Sequence, residues 1–72
     1  MEKTTRLLRR RQVEAATGIR RATIYERMAR GQFPRPIHLG PRTVAWLASE
    51  VDGWIAARIA ESRPAATTEV KP

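Results

Sequence analysis

Cysteine is absent from this 72-residue chain, which excludes a disulfide framework and any thiolate metal site. The single histidine, His38, has no partner ligands at metal-binding spacing, so no metal centre is expected. Acids are scarce, seven Asp and Glu against fourteen Lys and Arg. Neither a nucleophile–base pair nor a glycine-rich phosphate loop appears. A chain this short buries a thin core and leaves little room for a catalytic cavity. An enzyme is therefore the least expected class, and no catalytic residue or cofactor is assigned. Long apolar runs are missing too. The longest, Val44 to Ala48, falls far short of the roughly 20 residues that cross a bilayer. No apolar stretch follows the N-terminal charges as it does in a signal peptide. The expectation is no membrane and a cytoplasmic, nucleoid-associated location.

What is present is positive charge, +7 overall. Residues 1–45 hold eleven Lys and Arg against three Asp and Glu, whereas residues 46–72 hold three against four. That asymmetry points to a polyanion-binding face in the N-terminal two-thirds rather than to general solubility. The plainer alternative is a solvated basic surface.

The pattern along the chain places that charge on a recognisable frame. Residues 1–6 are polar and expected to be flexible, and order begins at Leu7-Leu8. A first helix over roughly 10–17 turns Val13 and Ala16 inward, and Gly18 sits just past its end, where a left-handed backbone favours glycine. Ile19 plugs the gap between two helices. The second helix runs from Arg20 or Arg21 to Arg30, with Ile24 and Met28 as its buried stripe and Gly31 as its stop. At about 100° per residue, Ala22, Glu26 and Ala29 lie opposite that stripe, flanked by Thr23, Arg27 and Arg30.

Phe33-Pro34-Arg35-Pro36 cannot be helical. Ile37-His38-Leu39 alternates as a half-buried strand does, Gly40-Pro41 signals a turn, and Thr43 to Trp46 supplies the return strand. Ser49 is expected to start a third helix, with Asp52 three residues on as in a capping box. Val51, Trp54, Ile55 and Ile59 form its apolar stripe. Trp46 and Trp54 are expected to supply the bulk of the core. The resulting fold class is mainly α with a small β-hairpin, in the order helix, turn, helix, hairpin, helix: a winged helix-turn-helix over residues 7–62, followed by a disordered tail over 63–72.

The residues Leu7-Leu8, Val13, Thr17-Gly18-Ile19, Thr23-Ile24-Tyr25, Gly31 to Pro36, Leu39-Gly40, Val44-Ala45-Trp46 and Val51-Asp52 with Trp54 resemble the AlpA family of prophage regulators. That family is similar to phage excisionases and to the DNA-binding domain of MerR-type regulators. The resemblance covers residues 6–60 and implies a prophage-encoded DNA-binding protein. Family members activate integrase or other phage genes, or act as directionality factors in excision. The chain departs from the family at Arg20, where serine is usual, at Ala22, where serine is frequent, and at Glu26, where arginine is common.

On this expectation the second helix enters the major groove of double-stranded DNA. Arg20 and Arg21 contact phosphate or a guanine edge, Ala22 packs on a thymine methyl, and Thr23 touches phosphate or a thymine methyl. Glu26 either accepts from cytosine N4 or pairs with Arg30. Arg27 completes the candidate set on this helix. Tyr25 is expected to be a part-buried packing residue whose hydroxyl is within reach of a phosphate. The hairpin is the wing, with Arg42 at its tip, Arg35 at its base and His38 exposed between them. Arg9-Arg10-Arg11 lies along the backbone. A monomer this small covers few base pairs, so specificity needs several copies side by side on DNA, a dimer, or another protein such as an integrase or RNA polymerase. An excisionase role further implies DNA bending. A protein-binding inhibitor of a regulator remains an alternative. An RNA-binding protein is weaker, because Phe33 and Tyr25 lack a sheet platform.

Overall fold

A computed structural model describes residues 5–63. Most of the N-terminal segment expected to be flexible, and all but Arg63 of the expected tail, lie outside these residues. The order of elements is β1 (Leu7–Leu8), α1 (Arg10–Thr17), α2 (Arg21–Ala29), β2 (Ile37–Gly40), β3 (Thr43–Leu47) and α3 (Ala48–Ser62).

The turn between α1 and α2 forms as its residues require. Gly18 takes φ 76°, and its N–H donates to the Glu14 carbonyl at 2.7 Å. A β-carbon there would meet nothing within 4 Å, so only the backbone conformation calls for glycine. Thr17 braces the turn. Its hydroxyl donates to the Val13 carbonyl at 2.8 Å and accepts the Ile19 N–H at 3.1 Å. Ile19 then packs against the core. At the other end of α1, the Gln12 side chain accepts the Arg9 N–H at 2.8 Å. Arg20 occupies the N-cap of α2 without a side-chain capping bond, because arginine offers donors only, and the orphan groups of a helix start are also donors. Gly31, at φ 72°, ends the second helix.

The sheet departs from the expected two-stranded hairpin. Its order is β1-β3-β2, all antiparallel. Leu7 pairs with Leu47 and Leu8 with Trp46, and the Ala48 N–H extends this pairing by donating to the Arg6 carbonyl at 2.8 Å. A bulge falls between His38 and Gly40. The half-buried alternation expected of β2 is not observed, since Ile37, His38 and Leu39 are all exposed. The strand lies at the sheet edge, and the core meets β3 instead. The third helix also starts differently. Leu47 is its N-cap, and no Ser49 cap forms. Ala48 is buried and tied to Arg6, so the chain passes from β3 straight into α3 before Ser49 is reached.

Leu8, Val13, Ile24, Phe33, Trp46, Ala48 and Val51 form the core, with Ile19, Met28, Val44, Trp54 and Ile55 packed against it. Of the two tryptophans, Trp46 is wholly buried while Trp54 is half-buried. The apolar stripe of α3 runs out before Ile59, which is exposed. With 15 residues, α3 outlasts the 8-residue α1 and the 9-residue α2 that would have to cover it. The α2–β2 connection is anchored by both indoles. Trp46 Nε1 donates to the Pro34 carbonyl at 2.9 Å, and Trp54 Nε1 donates to the Gln32 carbonyl at 2.8 Å. Between these bonds Phe33 is buried, edge-on to Trp54 with ring centroids 4.8 Å apart.

Candidate nucleic-acid interface

The site is built from α2 outward. Burying Ile24 and half-burying Met28 fixes the rotation of this helix, and that rotation leaves Arg20, Arg21, Ala22, Glu26 and Arg30 exposed, with Thr23 half-buried. The Arg21 guanidinium lies 5.9 Å from the centroid of the Tyr25 ring, a cation–π separation that holds both side chains on one flank. Tyr25 is 40% exposed rather than the packing residue its place beside Ile24 suggests. Glu26 forms the alternative expected of it, an ion pair with Arg30 at 3.2 Å between exposed side chains.

Arg27 lies elsewhere. It is half-buried, with its guanidinium 5.6 Å from the Trp54 ring, whose other close cation is Arg58 at 4.9 Å. Arg58 is in turn bonded to Glu61 through Nη2 at 2.7 Å and Nε at 3.2 Å. This places Arg27 on the side of α2 that meets α3, apart from Arg21 and Tyr25.

On the Tyr25 flank, a cleft of about 410 Å³ is lined by Arg9, Arg10, Arg11, Tyr25, Arg42 and Val44. It joins three parts of the chain: the entry to α1, the middle of α2 and the turn of the hairpin. Arg10 is already engaged by Glu14 at 2.7 Å. Arg9, Arg11 and Arg42 form no ion pair among the described residues. Arg9, Arg11 and Arg42, unpaired among the described residues, line the cleft together with Tyr25 and make a concave cationic surface able to take an anion. Arg35 and His38 are exposed outside the cleft lining, and His38 pairs across the hairpin with the cleft residue Val44. Sequence alone separates the Arg9–Arg11 run from Arg42 and treats Tyr25 as packing. No spacing in the sequence links them; Arg21, one helical turn before Tyr25, marks only the flank on which Tyr25 lies.

No group of three or more His, Cys, Asp or Glu side chains able to hold a metal lies among the described residues, and none of the described helices is long and apolar enough to cross a membrane.

A tight helical turn, a second helix with an exposed cationic start and a β wing set beside it define a winged helix-turn-helix protein. The chain matches the family model for the prophage CP4-57 regulatory protein (AlpA) over residues 6–59, and it belongs to that family of phage regulatory proteins. It is also 49% identical over 55 residues to an uncharacterized protein, ORF88, of Enterobacteria phage P4. That match covers 76% of this chain and 62% of the phage protein, so the chain spans less than two-thirds of this relative's length. The family match runs from the residue before β1 to Ile59 of α3 and takes in every residue of the cleft.

Proposed function

We propose that this chain binds double-stranded DNA and acts as a transcriptional regulator of prophage or mobile-element genes. The observation that carries this reading is the cleft, in which Arg9, Arg11, Arg42 and Tyr25 converge from three elements on the flank of α2. A solvated basic surface needs no such convergence. In the proposed complex α2 lies in the major groove, with Arg20 and Arg21 at its N-terminal end reaching phosphate or a guanine edge. Ala22 and Thr23 face the groove beside them. The cleft grips the phosphate backbone next to that groove, and Arg35, His38 and Arg42 extend the contact along the wing. The Glu26–Arg30 pair is exposed and worth at most about 0.5 kcal/mol, so it opens readily if Glu26 meets a cytosine amino group. Arg27 stays on Trp54 and contributes through the longer-range field.

Affinity for short duplexes, measured by fluorescence anisotropy across a salt series, tests the reading. Each phosphate neutralised adds about 0.9 to the slope of log affinity against log salt. A slope of several units is expected, and affinity no better than millimolar in low salt would refute DNA binding. Selection of bound fragments from the host genome then separates the two genetic roles. Promoter sites support transcriptional control. Sites at a phage attachment junction support the alternative, an excision directionality factor working with an integrase.

A further inference from the structure

Away from the cleft, a second groove of about 440 Å³ lies where the end of α1 and the turn after it meet the C-terminal half of α3. Its floor is apolar. Ile19 and Ile55 are half-buried, and Ile59 is 53% exposed. Ile55 and Ile59 stand one helical turn apart on α3, about 6 Å along its axis, so they carry the floor outward from the core as a stripe. The rim is cationic. Arg27, Arg58 and Arg63 stand around the floor, and no Asp or Glu lines the groove. Arg58 is bonded to Glu61, but Arg27 and Arg63 form no ion pair among the described residues. Arg27 and Arg58 both lie against the Trp54 ring, at 5.6 and 4.9 Å, which holds two of the three cations at the groove wall. None of these residues lines the cleft that holds Arg9, Arg11 and Arg42.

We infer that this groove docks an acidic amphipathic helix of a partner protein. Charge complementarity selects that occupant. An apolar floor takes the apolar stripe of a helix, and a rim of arginines without acids takes carboxylates on the flanks of that stripe. No strand residue lines the groove, so there is no sheet edge to take an extended peptide by main-chain bonds. A second copy, also at +7, brings like charge to the rim, and a DNA backbone has no apolar stripe to set on Ile55 and Ile59. Size sets the strength. A groove this small holds about two turns of helix, well below the roughly 20–30 residues a side of a standard stable interface, so the contact is weak and transient. The proposal goes beyond the DNA-binding reading, because the groove and the cleft share no residue.

The probe is a labelled, end-capped peptide of about 15 residues, four helical turns, with leucine at every third or fourth position and glutamate on both flanks. Its control carries lysine for each glutamate. Fluorescence anisotropy with the full chain is expected to show binding of the glutamate peptide and none of the lysine peptide. Ile59→Gln is expected to weaken binding about tenfold, on the order of two methylenes withdrawn from a buried contact, with circular dichroism unchanged because the side chain is exposed. Arg63→Gln is expected to weaken it about threefold, while Arg42→Gln, which removes the same charge from the cleft, leaves it unchanged. Equal losses from the two arginine variants would overturn the proposal, since the attraction would then belong to the positive field as a whole. Binding that survives Ile59→Gln would overturn it too, as would displacement of the peptide by duplex DNA, which would put the peptide in the cleft. In the free chain, nuclear Overhauser contacts from residues 64–72 to Ile59 would give the groove to those residues. Self-association in sedimentation equilibrium that Ile59→Gln abolishes would give it to a second copy, and either result overturns the proposal. A chain that bound no duplex would leave the peptide measurements intact, so failure here and failure of the DNA reading are separately visible.

Discussion

Replacing each tryptophan in turn by alanine sets the two indoles against each other. Trp46 is wholly enclosed, and its Nε1–H satisfies the part-buried Pro34 carbonyl. Truncating a buried aromatic costs about 3–5 kcal/mol, and the carbonyl left without a donor adds about 1 kcal/mol. A chain of this length has a total stability of roughly 4–11 kcal/mol, so Trp46→Ala, at about 4–6 kcal/mol, removes between about a third of it and all of it. Trp54 is half-buried, and its bond to the Gln32 carbonyl is exposed, so water replaces the lost donor. Its truncation forfeits the edge contact with Phe33, about 0.5–1.5 kcal/mol, and the exposed stacking of Arg27 and Arg58, about 0.5–1 kcal/mol each. With partial burial included, Trp54→Ala is expected to cost about 2–4 kcal/mol. Urea unfolding followed by far-ultraviolet circular dichroism ranks the two. Trp46→Ala should have the lower urea midpoint of the two or be unfolded in buffer, while Trp54→Ala keeps a cooperative transition at a urea concentration below that of the wild type. A Trp46→Ala variant more stable than Trp54→Ala would refute this assignment of the core.

Four further outcomes follow from the site and its frame. Arg42→Ala should weaken all duplexes alike and lower the salt slope by about 0.9, the signature of one lost phosphate contact; a loss confined to one sequence in competition binding would make it a base contact instead. Arg21→Ala should cost about 1–3 kcal/mol on the selected site and little on random DNA if it reads a base, and the ratio of the two affinities decides. Gly18→Ala should destabilise the fold by about 1–2 kcal/mol, because the left-handed backbone is the whole of the penalty when no atom stands near the new methyl group; no change in the urea midpoint would contradict that. Arg20→Ser should stabilise α2 by about 1 kcal/mol by supplying the missing cap while weakening DNA binding; melting and anisotropy measured together show whether the two effects oppose.

Much of this fold is legible in the chain because its signals are local. Gly18 and Gly31 stop α1 and α2, and the four-residue spacing of Ile24 and Met28 turns α2 in the correct sense. The proline-bounded connection and the Gly40-Pro41 turn mark out the hairpin. What escapes is non-local. Leu7-Leu8 is too short to show a period, and it becomes a strand only by pairing with Trp46 and Leu47. Ser49 carries a good capping signal, but the bond from Ala48 to Arg6 starts the helix earlier. Trp54 fits a buried stripe, yet the ends of α1 and α2 leave its outer side open to Arg27 and Arg58. The same holds at the site. Arg9, Arg11 and Arg42 are each visible as cations, but only the third dimension sets them around one cleft with Tyr25.

The two indole bonds to the Gln32 and Pro34 carbonyls come from different elements, one from α3 and one from β3. They clamp the connection between α2 and the hairpin at both sides of buried Phe33. The path from helix to wing is thus held at two points, like a strap pinned on either side of a buckle. On the proposed DNA-binding reading, a duplex held by both helix and wing meets a spacing that these two bonds help to set. Discrimination then falls partly on how easily a given stretch of DNA adopts the required groove width, and the ordering penalty of a loose wing is met during folding instead of at binding.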